Sequence, residues 1–147
     1  MKHVCAVMCL LCVFRLEVAR ANELHIGSVK TLEGKVLILR QETKVNPVIG
    51  SRLFVKDTIK TGRNGSAGII LQDDTVFSLG PNSELAMNEF RFDPLKKDFS
   101  LVSRMIRGTF VFISGAIGKL SPESIVIETP DGTVAVRGTK FVAQIRN

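Results

Sequence analysis

The sequence contains no tryptophan and no tyrosine, and only two of its 147 residues are histidines and three are cysteines. Sugar-binding clefts and single-strand nucleic-acid grooves depend on exposed aromatic faces, so the missing aromatics weigh against both kinds of site. Catalytic triads and zinc centres combine histidine or cysteine with other polar residues, and both types are scarce here. These absences favour a function that rests on binding a protein partner.

All three cysteines lie within the first twelve residues, in a segment with the layout of a secretory signal peptide. Lys2 gives it a basic start, residues 4–14 form an apolar run, and "ARA" ending at Ala21 has the A-x-A spacing of a cleavage site. We predict a signal peptide over residues 1–21. The mature chain would then begin at Asn22 and contain no thiol.

Two other interpretations of this leader are weaker. A membrane anchor needs about 20 apolar residues to span a bilayer, whereas this run has eleven and is followed by Arg15 and Glu17. A lipoprotein signal would place small residues before a cysteine at the end of the run, but Cys12 follows "CLL" too early. We therefore expect export to the periplasm by a cleaved leader, with no membrane span after cleavage.

The net charge is modest and evenly spread. The chain has 20 basic and 14 acidic residues, a formal charge of +6. This falls to +4 for residues 22–147, because three basic residues and one acidic residue belong to the leader. Stretches such as "LKKDF" and "NEFRFD" alternate the sign of the charge instead of forming a basic stripe. We interpret the surface as solvated and expect no nucleic-acid partner.

Apolar and polar residues alternate with a period of two along most of the chain after the leader, which is the pattern of half-buried strands. The runs include "KVLILRQ", "AGIILQ", "TVFSLG", "ELAMNEF", "TFVFISG", "SIVIETP" and "TVAVRGTKFVAQI". They are rich in β-branched and aromatic residues and bounded by Gly, Pro, Asn and Asp. We predict an all-β fold in which residues 22–147 form a single domain of short antiparallel strands, arranged as a barrel, a sandwich or a twisted, solenoid-like ribbon.

Turn residues separate these runs. Asn64-Gly65 suits two positive φ angles, so we predict a tight hairpin there. Asp131-Gly132, "GPNS" at residues 80–83 and Asp73-Asp74 predict three further turns. The single candidate for a helical turn lies at residues 115–124, although two glycines and a proline oppose it.

The residues after the leader offer no recognisable catalytic or metal-binding set. His25 is the one histidine left, and a lone histidine near a terminus is usually solvated. Asp73 and Asp74 point apart in an extended chain, whereas a glycosidase needs two facing carboxylates. The sequence has no G-x-S-x-G elbow, calcium loop or phosphate-binding loop. We predict that the protein is not an enzyme, binds no metal and needs no cofactor.

Two separated blocks, "GSRLFVKDTIKTGRNGSAGIILQDDTVFSLGPNSEL" and "ETPDGTVAVRGTKFVAQI", resemble the FecR domain family. In that family a Thr-Gly turn leads to a strand, an Asp turn, a second strand and L-x-P-N-S-x-L, and the domain closes on T-P followed by V-R-G-T-x-F. The matching residues, which we interpret as structural, are Thr61, Gly62, Asp73, Pro81, Asn82 and Ser83, then Thr129, Pro130, Arg137, Gly138 and Thr139. Four apolar residues also match, namely Leu79, Leu85, Val136 and Phe141.

The first block departs from the family pattern in two places. Ser51 and Asp57 alter the Gly-Asp pair that usually precedes the Thr-Gly turn, and Asp74 stands where the family often has Gly or Asn. These departures concern the geometry of the turns and leave the resemblance in place.

Arg137 interrupts the apolar alternation of "VAVRGTKF" and admits two interpretations. A structural arginine would donate fixed hydrogen bonds to carbonyls or a carboxylate and fasten the last strands, whereas a functional one would face a partner. We favour the structural interpretation, because Gly138 beside it is typical of a bend where the backbone approaches closely.

The resemblance implies a role in signalling at the cell envelope. Full-length sensors of the family hold a sigma factor with a cytoplasmic helical segment, cross the membrane once, and place the FecR part against the signalling domain of an outer-membrane transporter. This sequence shows neither of the first two parts, so we expect a stand-alone, exported, non-catalytic module. It would bind a protein partner in the periplasm, for example by strand addition at a sheet edge, with a link to sensing or signalling. Binding of a cell-wall glycan or a small ligand is the alternative, and a hydrolase of unknown type is a third option.

Overall fold

The fold was obtained as a computed structural model, which describes residues 24–138 and 140–146. The predicted signal peptide, its cleavage site before Asn22 and the motif residue Thr139 lie outside these residues. The described residues form twelve β-strands, a short helix α1 (Ala116–Leu120) and a 3₁₀ turn (Pro122–Ser124). The strands are β1 (Gly27–Glu33), β2 (Val36–Arg40), β3 (Thr43–Val45), β4 (Arg52–Leu53), β5 (Thr58–Thr61), β6 (Ser66–Leu71), β7 (Val76–Leu79), β8 (Glu84–Asp93), β9 (Asp98–Ile113), β10 (Ile125–Thr129), β11 (Gly132–Ala135) and β12 (Lys140–Ile145).

These strands form one curled, largely antiparallel sheet, so the predicted all-β fold is confirmed. The order of neighbours is β3-β2-β5-β8-β9-β7-β6-β1-β4. Strands β10 and β12 also pair with β9, and β11 pairs with β10. Strands β8 and β7 lie along one edge of β9. Strands β10 and β12 therefore lie along its other edge. The sheet curls like half a barrel around a single hydrophobic core.

Strand β9 is a sixteen-residue spine that joins two arms of the sheet. Its first half pairs with β8 and β10, and its second half pairs with β7 and β12. The change of partners falls at Gly108, whose φ is +100° and where an added Cβ would lie 2.1 Å from Ser83 Oγ. Glycine therefore lets β9 bend and serve both arms. We call β2, β3, β5, β8, β10 and β11 the first arm, and β1, β4, β6, β7 and β12 the second arm.

The core contains one face of each long strand, as the period-two pattern predicts. Phe77 and Phe112 are fully buried in the second arm, and the cross-strand pair Leu85 and Met105 is fully buried in the first. The rings of Phe77 and Phe112 meet edge to face with centroids 5.1 Å apart, and Phe141 stacks on Phe112 at the same separation. This aromatic row packs β7, β9 and β12 together from the inner side.

Three predicted turns and the helical turn are confirmed. Asp73-Asp74 connects β6 to β7, with Asp74 at φ +66°, and residues 80–83 connect β7 to β8. Pro130-Asp131 closes the β10–β11 hairpin, in which Thr129 pairs with Gly132. Residues 115–124 contain both α1 and the 3₁₀ turn.

The predicted hairpin at Asn64-Gly65 is wrong. Strand β5 pairs with β2 and β8, and β6 pairs with β1 and β7, so the segment between them carries the chain from the first arm to the second. The Gly65 N–H donates to Gly62 O at 3.0 Å, and an added Cβ on Gly65 would lie 2.3 Å from Lys35 O. Glycine is needed here for close backbone approach, and not for the positive φ angles of a tight hairpin.

One pair of strands differs from the antiparallel rule. Strand β10 runs parallel to β9, with Ile125 opposite Leu101 and Glu128 opposite Arg104. A parallel neighbour requires a crossover connection. Helix α1 and the 3₁₀ turn provide it, and Ile117 of α1 is fully buried against the core.

Candidate functional site

The first motif block forms a buried hydrogen-bond network between β5, the β7–β8 turn and β9. Thr61 Oγ1 donates to Gly80 O at 2.6 Å and accepts from the Ser83 N–H at 2.9 Å. Ser83 Oγ accepts from the Thr109 N–H at 3.1 Å. Thr61 and Ser83 are buried, so each bond replaces water that these groups have lost. The network fastens the edge of β5 to the bend of β9.

Backbone contacts extend this network to the rest of the block. Gly62 O accepts from the Asn82 N–H at 3.0 Å, and the Gly62 N–H donates to Lys35 O at 2.8 Å. Asn82 has φ +50°, a left-handed conformation that asparagine adopts more easily than most residues. Pro81 precedes it on the surface. The Thr-Gly and Pro-Asn-Ser parts of the motif, far apart in the sequence, are therefore neighbours in the fold.

Asp73 is the buried centre of a second network in the same block. Its Oδ1 accepts from the Thr75 N–H at 3.1 Å, and its Oδ2 accepts from Thr75 Oγ1 at 2.7 Å and from the Ile117 N–H at 3.2 Å. Thr75 Oγ1 in turn accepts from the Gly115 N–H at 3.0 Å. An added Cβ on Gly115 would lie 2.0 Å from Asp73 O. Asp73 thus joins the β6–β7 turn to the start of α1, and its neighbour Asp74 points to solvent.

Asp57, which the sequence analysis treated as a departure from the family, is fully buried and forms an ion pair. Its carboxylate accepts from Arg40 Nε and Nη2, each at 2.8 Å, and from the Phe54 N–H at 2.9 Å. The Arg40 guanidinium also lies 4.5 Å from the centre of the Phe54 ring. Lys56 has φ +71°, the conformation that suits glycine. Lys56-Asp57 therefore combines a left-handed backbone, which glycine adopts most easily, with a buried carboxylate.

The second motif block is exposed. Thr129 Oγ1 donates to Gly132 O at 2.9 Å within the β10–β11 hairpin, and Pro130 lies at the exposed tip. Arg137 is exposed, and within residues 24–138 and 140–146 its side chain makes no hydrogen bond or ion pair. Gly138 has φ +132°, which marks the bend predicted beside it. The fastening bonds expected of Arg137 are therefore not formed within the described structure, because the guanidinium points to solvent.

A groove of about 640 Å³ lies beside Arg137, between the β10–β11 hairpin and the crossover. Val134 and Val136 contribute apolar surface to it, and Glu123 and Arg137 contribute opposite charges. The Ser121 hydroxyl donates to Glu123 Oε1 at 2.6 Å, and this bond lowers the pKa of the Glu123 carboxyl. The groove therefore has apolar walls, a carboxylate held in place by Ser121 and an exposed guanidinium.

The described residues show no arrangement suited to metal-dependent chemistry. Among residues 24–138 and 140–146, no group of three or more His, Cys, Asp or Glu side chains could hold a metal ion. Asp73 and Asp74 do not face each other, since one is buried and the other exposed. The motif residues of the first block serve hydrogen bonds within the fold instead of converging on a cleft.

Open strand edges are a more promising surface for binding. In the part of the chain that the structure describes, β3, β4, β11 and β12 each pair with one neighbour. Strands β3 and β4 have three and two residues, and β11 has four. Strand β12 has six residues, "KFVAQI", of which only Lys140 is charged, and Val142 is 65% exposed. It is the longest of these open edges.

Comparisons with known proteins agree with the resemblance of the two blocks. The sequence model of one family, described as FecR protein, matches residues 57–147, beginning at the buried Asp57. The searches of curated proteins and of solved structures found no match. None of the helices in the described residues is long and apolar enough to cross a membrane. FecR proteins form a regulatory and signalling family that is typically associated with the cell envelope and is not known for enzymatic activity. Since the match covers more than half of the sequence and includes the matching residues of both motif blocks, the chain belongs to the FecR family.

Proposed function

We propose that the protein is an exported, non-catalytic interaction module that binds a protein partner of the cell envelope in sensing or signalling. Family membership supports the signalling context. The leader-like residues 1–21 support export, and the mature chain begins at Asn22 in this proposal. The proposed binding of a partner rests on one observation, the open edge of β12.

The hydrogen-bonding direction of each β12 residue follows from its neighbour β9. The Thr109 N–H and C=O both bond on the β7–β8 side, to Ser83 Oγ and the Gly80 N–H. Consecutive residues of a strand direct their peptide groups to opposite edges, so Phe110 and Phe112 direct theirs toward β12. Phe110 pairs with Ala143 and Phe112 with Phe141.

The peptide groups of Val142 and Gln144 therefore face the open edge. An extended segment of a partner can bond to these groups and continue the sheet, which is the common mode of strand addition. Its side chains would lie beside Val142 on one face and beside Phe141 and Ala143 on the other. A partner segment with alternating apolar residues fits this edge.

Proline at position 144 tests strand addition directly. Gln144→Pro removes one outward N–H but no bond to β9, and proline is tolerated on edge strands. The matched control Gln144→Thr keeps the N–H and favours a strand. We expect Gln144→Pro to capture its partner from envelope extract at least about tenfold more weakly than wild type, and Gln144→Thr to match wild type.

Equal melting temperatures of the three proteins would show that the fold is unchanged. Equal capture by Gln144→Pro and wild type would contradict strand addition at β12. Retention of cell-wall glycan in place of a protein would favour the glycan-binding alternative.

Export has a separate test. The protein recovered from the periplasm is expected to have the intact mass of residues 22–147. A mass that retains the leader, or one that carries a lipid, would contradict cleavage after Ala21.

A further inference from the structure

The turn between β3 and β4 holds two aliphatic side chains in water. Val48 is 67% and Ile49 is 68% exposed. The Ser51 N–H donates to Val48 O at 2.9 Å, and the Val48 N–H donates to Ser51 Oγ at 2.8 Å. Two further bonds tie the turn to β1, from the Gly50 N–H to Val29 O at 2.8 Å and from the Val29 N–H to Ser51 O at 2.9 Å. These two side chains therefore stand on a hydrogen-bonded turn, which we call the Val48-Ile49 tip.

Basic side chains lie beside this tip. A bulge in β1 leaves Lys30 out of the register with β6, and Lys30 is exposed. Arg52, the first residue of β4, is exposed as well. Both line a shallow cleft of about 320 Å³ together with Gly50 of the turn, and Asp74 is the acidic residue in its lining. Within residues 24–138 and 140–146, neither Lys30 nor Arg52 forms an ion pair.

The surplus positive charge belongs to the strands that carry this tip. Residues 24–65, which contain β1 to β5, have eight basic and three acidic residues. Residues 66–146 have nine of each. The first five strands thus hold the whole formal charge of +5 of residues 24–146, which corrects the expectation of an evenly spread charge.

We infer that the Val48-Ile49 tip docks on the surface of a membrane that contains anionic lipids. Its two aliphatic side chains can enter the apolar part of the interface while the neighbouring cations contact negatively charged headgroups. The area of two side chains is far below the roughly 800 Å² that each partner contributes to a standard protein interface. A membrane needs no such area or matching shape, so it fits this tip better than a protein does. This role is separate from strand addition at β12, and either can fail without the other.

The hairpin between β8 and β9 offers a control within the same molecule. Its tip carries Leu95, which is 98% exposed, followed by Lys96 and Lys97. Acidic residues accompany these cations, since Lys96 Nζ lies 4.0 Å from Asp93 Oδ2 and Asp98 comes directly after the lysines. This tip precedes β9, whereas β1 is aligned through β6 and β7 with the end of β9. We therefore expect no docking through the β8–β9 hairpin.

Co-sedimentation of the protein, as it is recovered from cells, with lipid vesicles tests this inference. Vesicles of phosphatidylcholine are compared with vesicles of equal parts phosphatidylcholine and phosphatidylglycerol. We expect binding to the anionic vesicles to be at least about tenfold tighter. This preference should disappear at about 1 M salt, which screens the contacts between cations and headgroups.

Single substitutions locate the contact. Ile49→Ser removes an apolar side chain from the tip and should weaken binding to the anionic vesicles at least about fivefold. Lys30→Gln and Arg52→Gln should each weaken it about fivefold at low salt. The matched controls Leu95→Ser and Lys97→Gln make the same kinds of change on the β8–β9 hairpin and should leave binding unchanged.

Unchanged melting temperatures would show that the variants still fold. Equal binding to the two kinds of vesicle, or binding to neither, would overturn the inference. So would binding that Ile49→Ser and the two glutamine variants of the tip leave unchanged, as a retained leader would produce. Binding that Leu95→Ser weakens while Ile49→Ser does not would also overturn it, since the contact would then be the β8–β9 hairpin.

Discussion

The two motif blocks of this FecR chain occupy opposite environments. In the first block, Thr61, Asp73 and Ser83 are buried and bonded to their surroundings. In the second block, Arg137 and Pro130 are exposed. Residues of the first block define turns and hold the arms together, whereas the second block presents polar groups beside an open strand edge. A shared family pattern can therefore combine one part that specifies the fold with another that is available for contact.

The largest effect is expected at Asp73. Asp73→Ala leaves the Thr75 N–H, the Thr75 hydroxyl and the Ile117 N–H without their acceptor in a buried site. We expect a loss of about 3 kcal/mol in the free energy of unfolding. Asp73→Asn keeps one acceptor oxygen and should lose less. Urea unfolding of both variants measures this difference. A loss of less than about 1 kcal/mol in the free energy of unfolding of Asp73→Ala would contradict a structural role for Asp73.

A smaller effect is expected at Thr61. Thr61→Val keeps the shape but removes the donor to Gly80 O and the acceptor of the Ser83 N–H. The expected loss is about 2 kcal/mol. Thr58→Val is the matched control, because it makes the same change on the same strand at a half-buried position, and it should stay within about 0.5 kcal/mol of wild type. Similar losses in the two variants would show that the hydroxyl network contributes little.

The smallest effect on stability is expected at Arg137. If Arg137 fastened the last strands, Arg137→Ala would lower the free energy of unfolding by about 1–3 kcal/mol. Because Arg137 is exposed, we expect Arg137→Ala to change the free energy of unfolding by no more than about 0.5 kcal/mol. Capture of the partner should decrease in this variant, and Arg137→Lys should recover only part of it, because an ammonium lacks the planar fork. A clear drop in melting temperature with unchanged capture of the partner would instead show that Arg137 has a structural role.

Sequence reasoning succeeded where the determinants are local. The Asp73-Asp74 turn, the turn at residues 80–83 and the inward face of each long strand all follow from neighbouring residues. A period of two shows which face is buried but not which strand lies alongside. The bend at Gly108, the parallel pairing of β10 and the link between β5 and β6 depend on such distant neighbours.

The same limit explains what was missed or misjudged from the sequence. Arg40 and Asp57 are seventeen positions apart and meet only because the fold brings the end of β2 to the start of β5. Asn64-Gly65 has the composition of a hairpin, yet its flanking strands bury their faces in different arms. Arg137 was expected to bond within the fold because of Gly138, but the bend turns its side chain to solvent. In each case the tertiary arrangement overrides a valid local preference.

The most direct test of the central claim is amide hydrogen exchange of β12, measured residue by residue by NMR on dilute protein without a partner. The Phe141 and Ala143 amides bond to β9 in this fold, whereas those of Val142 and Gln144 face the open edge. We expect the first two to be protected and the second two to exchange at least about a hundredfold faster. Equal protection of all four amides would contradict the account, because the edge proposed for partner binding would already be occupied.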